Sequence, residues 1–322
     1  MIKVLFHTKE KRTPERILVV DGNPLIYRAF GVHDTLSTDG KKTGGLYGMV
    51  EILVNLIDSS IQPTSVYIVW DDQTPNWRRK ICSEYKSGRR AKTPEEFEHK
   101  ADINRQVTEG VKMMKHLPVR QWQWPGLEAD DLAFWITRRM YGGIDRYLND
   151  NIIPPNFTLA TIDRDWLQLV RWDVDVYLTD IDETVTVENF RDFDCKQKPR
   201  GLSLGDFVRY KCLIGDSSDS LQGIPQIGPK RGLPIIYATQ SYDDLIDADD
   251  RILKNFELIE RNQMLMDLAL FPYTKDLDTA LSISPLPTVD YDWLYKFFVK
   301  NRFLSFIGEW DRLQRIFNTL KV

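Results

Sequence analysis

Arg16-Ile17-Leu18-Val19-Val20-Asp21-Gly22-Asn23-Pro24 is the stretch that decides the fold. Four β-branched or aliphatic residues in an unbroken run, stopped by Gly22-Asn23, predict a strand buried on both faces. Pro24 to Phe30 predicts a helix, because proline is tolerated in a first turn, where its missing N–H had no partner to lose. A glycine-rich loop, Thr43-Gly44-Gly45-Leu46-Tyr47-Gly48, then leads into an apolar helix from Met49 to Ile57. Ser65 to Trp70 repeats the first motif and ends in Asp71-Asp72. Buried strands alternating with helices define an α/β fold, and open sheets of that kind place their sites at the carboxyl ends of the strands.

Further elements follow. Val111 to His116 and Arg120 to Trp124 are expected to return to the sheet. Leu127 to Met140 reads as a helix with Leu132, Ala133, Trp135, Ile136 and Met140 inward and Glu128, Asp130 and Asp131 in its first turn. Phe157 to Ile162 and Val174 to Leu178 read as strands. Residues 75–110 are charged and weakly apolar, and predict an exposed, mobile helical excursion without a periodic apolar face. Beyond Gly201 the pattern becomes helical. Leu204 to Leu213 runs into Gly215-Asp216-Ser217-Ser218-Asp219, then into the hairpin Gly223-Ile-Pro-Gln226-Ile-Gly228-Pro229-Lys230-Arg231-Gly232, which delivers the chain into a helix with Pro229 first. Glycines let a phosphate approach the backbone there, and free N–H groups at a helix start bind it. Trp293 to Val299 reads as a core helix.

Composition sets bounds. The chain has 322 residues, 42% hydrophobic and 28% charged, as a globular protein of one large or two ordinary domains should. No apolar run approaches the ~20 residues a membrane helix needs. Met1 to Arg12 lacks the apolar core of a signal peptide. Cys82, Cys195 and Cys212 form no motif and read as reduced thiols of a cytoplasmic compartment. The four histidines show no ligand spacing.

The chemistry lies in the acids. Asp21, Asp72, Glu128, Asp130, Asp131, Asp163, Asp165, Asp216 and Asp219 recur at the ends of apolar runs or at helix edges, where a solvated surface charge has no reason to sit. Gathered carboxylates repel and lose hydration, and hard divalent cations such as Mg²⁺ and Mn²⁺ offset that cost. Asp163 and Asp165, two apart on a strand, would share one face. The net charge of −4 hides a basic segment, Arg78, Arg79, Lys80, Lys86, Arg89, Arg90 and Lys92, with Trp77 and Tyr85 among them. Lys86 and Arg89, three apart on a helix, would reach a single phosphate. An acidic nest beside a basic strip suits a phosphodiester substrate.

These motifs, in this order, resemble the structure-specific 5′-nucleases: flap endonucleases, the 5′-nuclease domain of bacterial DNA polymerase I, and phage 5′-exonucleases, including the phage ribonuclease H type. The resemblance runs from about Arg16 to about Gly232, and more weakly along the tail around Asn255 to Asp267. It implies a PIN-like nuclease core over 1–200, a mostly parallel central sheet with helices on both faces, and a helical arch at about 75–110. A helical DNA-binding region over 201–322 follows, with a helix–hairpin–helix element at about 204–240.

The nine acids would be ligands of two Mg²⁺ ions, replaceable by Mn²⁺, or support such ligands. Asp72 fits the family register better than Asp71. Lys86 and Arg89 would act on the scissile phosphate. Arg78, Arg79, Tyr85, Arg90, Gly44, Gly45, Gly223, Gly228, Lys230 and Arg231 would contact nucleic acid. K⁺ often sits at the hairpin in this family, although Gln226 here replaces a common glycine. Arg164, where a small residue is frequent, is expected to point away from the metals. The implied partners are branched or nicked duplex DNA and RNA–DNA hybrid, together with replication proteins such as a single-strand-binding protein or clamp. The implied state is a monomer. A ribonuclease of the related acidic type lacks the glycine hairpin and helical tail. A catalytically inactive branched-DNA binding protein would favour fewer acids, and a purely structural α/β protein leaves their burial unexplained.

Overall fold

The computed structural model describes residues 14–72, 74, 76–89, 91–140, 154–282 and 287–321. The N-terminal stretch to Arg12, and Arg90, lie outside the described residues. Six strands form one sheet: β1 (Arg16–Asp21), β2 (Ser65–Val69), β3 (Arg120–Trp122), β4 (Asn156–Thr161), β5 (Val174–Leu178) and β6 (Glu183–Val185), in the order 3-2-1-4-5-6. All pairings are parallel except the antiparallel β5–β6 edge. β1 sits between β2, in register Ile17 to Ser65, and β4, in register Arg16 to Asn156. The strand order reverses between β1 and β4, and a crevice opens at the carboxyl ends beside such a switch.

Alternation along the strands divides the core. Leu18, Val20, Val66 and Ile68 face one side, where α1 (Gly22–Val32), α2 (Gly44–Ile57) and part of α4 (Pro94–Met114) cover them. Ile17, Val19, Tyr67 and Val69 face the other, under α5 (Ala129–Trp135) and apolar residues of the later helices, including Phe207, Ile236 and Ile259. Those later helices include α6 (Leu204–Ile214), α7 (Pro229–Ala238) and α8 (Phe256–Met266). The last three, α9 (Tyr291–Lys300), α10 (Leu304–Gly308) and α11 (Trp310–Phe317), return to the α2 side, where Leu294, Phe298, Phe306 and Leu313 join that core.

Residues 75–110 differ from expectation. A short helix, α3 (Trp77–Ile81), begins the segment, and the first half of α4 is exposed. The second half is not: Ile103, Val107, Gly110 and Met114 form a buried face against α1 and α2. Those positions are spaced three or four apart, as a helix requires. The same face carries α4 through Val111 to Met114, which therefore do not belong to the sheet, and the edge strand is only Arg120–Trp122. Thr93 caps the start by accepting from the Glu96 amide at 3.2 Å, and Pro94 occupies the first turn.

Candidate active site

Asp21 closes β1, and Thr161 closes β4 and donates its hydroxyl to Asp21 Oδ2 at 2.8 Å. Asp163 and Asp165 lie just beyond the strand. Asp163 caps a 3₁₀ segment and accepts the Asp165 amide at 2.8 Å. A cap therefore draws the two acids together, and they do not alternate along a strand as expected. Arg164 turns aside to Asp180, at 2.8 Å.

After β2, the adjacent acids part company. Asp71 accepts the Ala129 amide at the start of α5, at 2.8 Å, and is buried close enough to Asp21 and Glu128 for their charges to repel. Asp72 Oδ2 instead holds a turn, accepting the amides of Thr74 at 2.9 Å and Gly126 at 3.1 Å. Asp71 thus lies beside Asp21 and Glu128, while Asp72 Oδ2 is engaged in the turn.

α5 begins with Glu128 as its capping residue, and the three acids around its start diverge. Glu128 Oε1 accepts from Lys86 Nζ at 2.6 Å, while Oε2 accepts from Tyr85 Oη at 2.8 Å and Arg78 Nη1 at 3.1 Å. Asp130 accepts from the Trp166 indole at 2.6 Å. Asp131 points inward to a bidentate pair with Arg78, 2.8 and 3.0 Å, and its carboxylate also receives the Glu128 amide. In this structure it is the buried counterion of Arg78. Arg78 and Tyr85, expected on nucleic acid, are both buried. Arg79 is exposed, with its amide capped by Asn76 at 3.0 Å.

The remaining acids arrive from the helical region. α6 ends at Gly215, and a two-residue ladder pairs Gly215–Asp216 with Leu221–Gln222. Asp216 shares the ammonium of Lys211 with Asp165, at 2.9 Å on the Asp216 side. Asp219 pairs with Arg89 Nη2 at 2.6 Å. Its backbone carbonyl takes the Lys86 amide at 2.8 Å, and Ser220 Oγ takes the Gly88 amide at 3.0 Å. The loop carrying Lys86 and Arg89 is therefore pinned to this ladder. Lys86 has φ 54° and Ser87–Arg89 is a 3₁₀ turn, so the two cations do not share an α-helical face as predicted.

Charge is poorly solvated throughout. Burial, and then Asp71, push the Asp21 carboxyl well above its usual range. Burial also raises Asp71, Asp130 and Asp219, and with help from Asp165 it lifts Asp163 to about 6. Burial opposes ionisation of Glu128 too, but Lys86 and Arg78 outweigh it and hold Glu128 at about 2. Lys211 does the same for Asp216, again at about 2.

Among the described residues, no three carboxylate, histidine or cysteine side chains close on one point tightly enough to enclose a cation as they stand. The donor set still fits hard cations. It is made of carboxylate oxygens, and Asp21 Oδ1 is buried with no hydrogen-bond partner among the described residues. Lys211, buried at 4% exposure, escaped the sequence reading. So did Tyr27, half-exposed on α1, whose hydroxyl feels Asp71 after burial.

The expected backbone sites divide. Gly44 and Gly45 are buried where α1, α2 and α4 meet, and a side chain on Gly45 would meet Gln106 at 2.9 Å. Gly223 packs against the Ile214 backbone and allows the two chains of the hairpin to touch. Gly228 caps α7 with open space before it, and Lys230 and Arg231 are exposed. Gln226 sits at φ 66°, the left-handed region where a glycine costs less.

The family model described as the 5′-3′ exonuclease, N-terminal resolvase-like domain matches residues 16–195, and the chain belongs to that family of nucleases. It is 27% identical over 260 residues to a 5′-3′ exonuclease of Mycoplasmopsis pulmonis, covering 80% of this chain and 76% of the relative. It is 28% identical over 239 residues to DNA polymerase I of Lactococcus lactis subsp. cremoris, covering 72% of this chain and 25% of the relative. The chain thus spans about a quarter of that polymerase. The phage T5 D15 protein, crystallised with metal ions, shares the fold with a TM-score of 0.66 at 21% identity, covering 83% of this chain and 96% of that one. The same T5 protein is described as a flap endonuclease in a pseudo-enzyme–product complex with DNA and metal ions, with a TM-score of 0.64 at 21% identity and coverage of 83% and 96%. No helix among the described residues is long and apolar enough to cross a membrane.

Proposed function

We propose that this chain is a divalent-metal-dependent, structure-specific 5′-nuclease acting on branched, nicked or RNA-primed duplex DNA during replication. One observation supports this above others: buried carboxylates converge on the switch point of the sheet, their ionisation is disfavoured, and Lys86 and Arg89 stand against them. Asp21, Asp71, Glu128, Asp130, Asp163, Asp165, Asp216 and Asp219 are the carboxylates that would hold two Mg²⁺ or Mn²⁺ ions or support their ligands. When bound, such ions make water a nucleophile at neutral pH and neutralise charge on the phosphate.

The protein's own groups do the rest. Lys86 and Arg89 exchange their carboxylate partners for phosphoryl oxygens, which orients the phosphodiester and offsets its growing charge. Arg79, exposed on α3, steers the strand toward them. Gly228, Lys230 and Arg231 at the start of α7 hold duplex backbone without reading bases. The test is cleavage of 5′-labelled flap, nicked duplex and RNA–DNA hybrid with Mg²⁺, with Mn²⁺ and with EDTA. Products cut near the 5′ end, formed only with a divalent ion, are expected. Cleavage that persists in excess EDTA, or none with either ion, would falsify the reading.

A further inference from the structure

We propose that Arg78 is a positioning residue through which the basic segment, the acidic site and the helical region are held in one register. The proposal rests on the nuclease reading above. Arg78 belongs by sequence to the cationic strip, yet its side chain is only 2% exposed. Its guanidinium makes four hydrogen bonds. Nη2 and Nη1 reach Asp131 at 2.8 and 3.0 Å, Nη1 also reaches Glu128 Oε2 at 3.1 Å, and Nε reaches the Leu265 carbonyl at 2.9 Å. The plane also lies over the Trp77 ring, 4.5 Å from its centroid.

The partners come from two other elements, the end of α8 and the start of α5. Leu265 is in the last turn of α8, where carbonyls lack helical partners and a cation is favoured by the helix dipole. Glu128 and Asp131 open α5. Glu128 divides its oxygens: Arg78 and Tyr85 take Oε2, and Lys86 takes Oε1. When a phosphate draws Lys86 away, Oε2 stays held, so the carboxylate keeps its plane. A guanidinium buried among carboxylates is seldom more stable than apolar packing of the same volume. Its presence here is explained by what it orients.

The test compares Arg78→Lys with Arg79→Ala, an exposed neighbour. Three quantities are read: the single-turnover rate at saturating flap DNA, the Kd for the same DNA in Ca²⁺ with its salt dependence, and the melting temperature. Lysine keeps the charge but cannot span two carboxylates and a carbonyl. Arg78→Lys should cut roughly 10²-fold more slowly, the scale of a small misplacement of a reacting group. It should require several-fold more Mg²⁺, while Kd moves less than about twofold and the salt slope does not change. Arg79→Ala should show the reverse, a raised Kd and a normal rate at saturation.

Tyr85→Phe removes the other bond to Oε2. It should slow cutting in the same sense, and the double variant should lose less than the product of the two single losses, because both act on one oxygen. An Arg78→Lys rate within about threefold of the parent, or a loss seen in Kd and the salt slope, overturns the proposal. If Arg78→Lys does not fold, Tyr85→Phe decides, and a normal rate and Mg²⁺ requirement there overturn it. A parent chain that cuts nothing refutes the nuclease reading instead.

Discussion

Asp71 and Asp72 are neighbours in the chain with different partners, and exchanging each for asparagine tests what each does. Asp72→Asn keeps a carbonyl oxygen for the Thr74 and Gly126 amides, 2.9 and 3.1 Å away, but removes the charge that strengthens both bonds. Losing that share at a half-buried turn should cost about 1–2 kcal/mol. Asp71→Asn keeps the bond from the Ala129 amide and removes a charge that burial and Glu128 both disfavour. Stability should hold or rise slightly. Activity should divide the other way. Asp71→Asn removes a carboxylate from the cluster and should slow single-turnover cleavage by roughly 10²-fold or more, the size of one lost electrostatic contact. Asp72→Asn should cut at close to the parent rate once saturated. Urea unfolding in EDTA gives the stabilities, and quenched-flow cleavage of a flap substrate in Mg²⁺ gives the rates. A dead Asp72→Asn beside an active Asp71→Asn would refute the placement of these two side chains.

Four further outcomes are expected. Asp163, raised to about 6, favours the folded state when protonated, so that contribution is present at low pH and lost as pH rises through 6. Burial acts in the same sense on Asp21, Asp71 and Asp130, whereas Glu128 and Asp216, at about 2, stay ionised across this window. Unfolding in EDTA should therefore show higher stability near pH 5 than near pH 8, with Mg²⁺ removing much of the slope; a rise in stability with pH would contradict it. Asp131→Asn leaves the buried Arg78 undercompensated and should cost about 3–5 kcal/mol, whereas Asp163→Asn should cost nothing in EDTA; equal losses would place the two acids in one role. Lys86→Ala and Arg89→Ala should each lower the saturated rate by roughly 10²-fold with only a few-fold change in Kd, and a change confined to Kd would reduce them to steering charges. Lys230→Ala and Arg231→Ala should weaken duplex binding alike on every sequence and lower the salt slope by about one each, so a loss confined to particular sequences would point to base reading.

The architecture was legible where one physical cause acted alone. Arg16–Asp21 and Ser65–Val69 are short β-branched runs buried on both faces, and no other element suits them. The acids at their ends stood out because an apolar run has no other reason to finish in a carboxylate. What escaped was decided by partners distant in sequence. Asp71 and Asp72 look alike in the chain, and the Gly126 amide that takes Asp72 arrives from β3's far end. Lys211 resembles any lysine of an amphipathic helix until Asp165 is seen opposite it. Arg78 reads as a surface cation among surface cations, because neighbouring charge says nothing of Glu128, Asp131 and Leu265. In α4, the charged first half concealed a face that only α1 and α2 reveal.

The return of α9, α10 and α11 to the α2 side bears on how the chain reaches its native state. The layer begun by β1 and α1 lacks Leu294, Phe298, Phe306 and Leu313 until those helices dock, and the Lys321 amide closes it on the Thr64 carbonyl at 2.7 Å. Contacts of such sequence separation form slowly, because the loop must close before any of them can compensate. During synthesis, the apolar faces of α1 and α2 therefore stay partly bare while more than two hundred residues emerge behind them. A chain stopped before Tyr291 would expose that surface permanently. Its characteristic defect would be self-association through the α2 face, with the carboxylate cluster assembled but the protein insoluble.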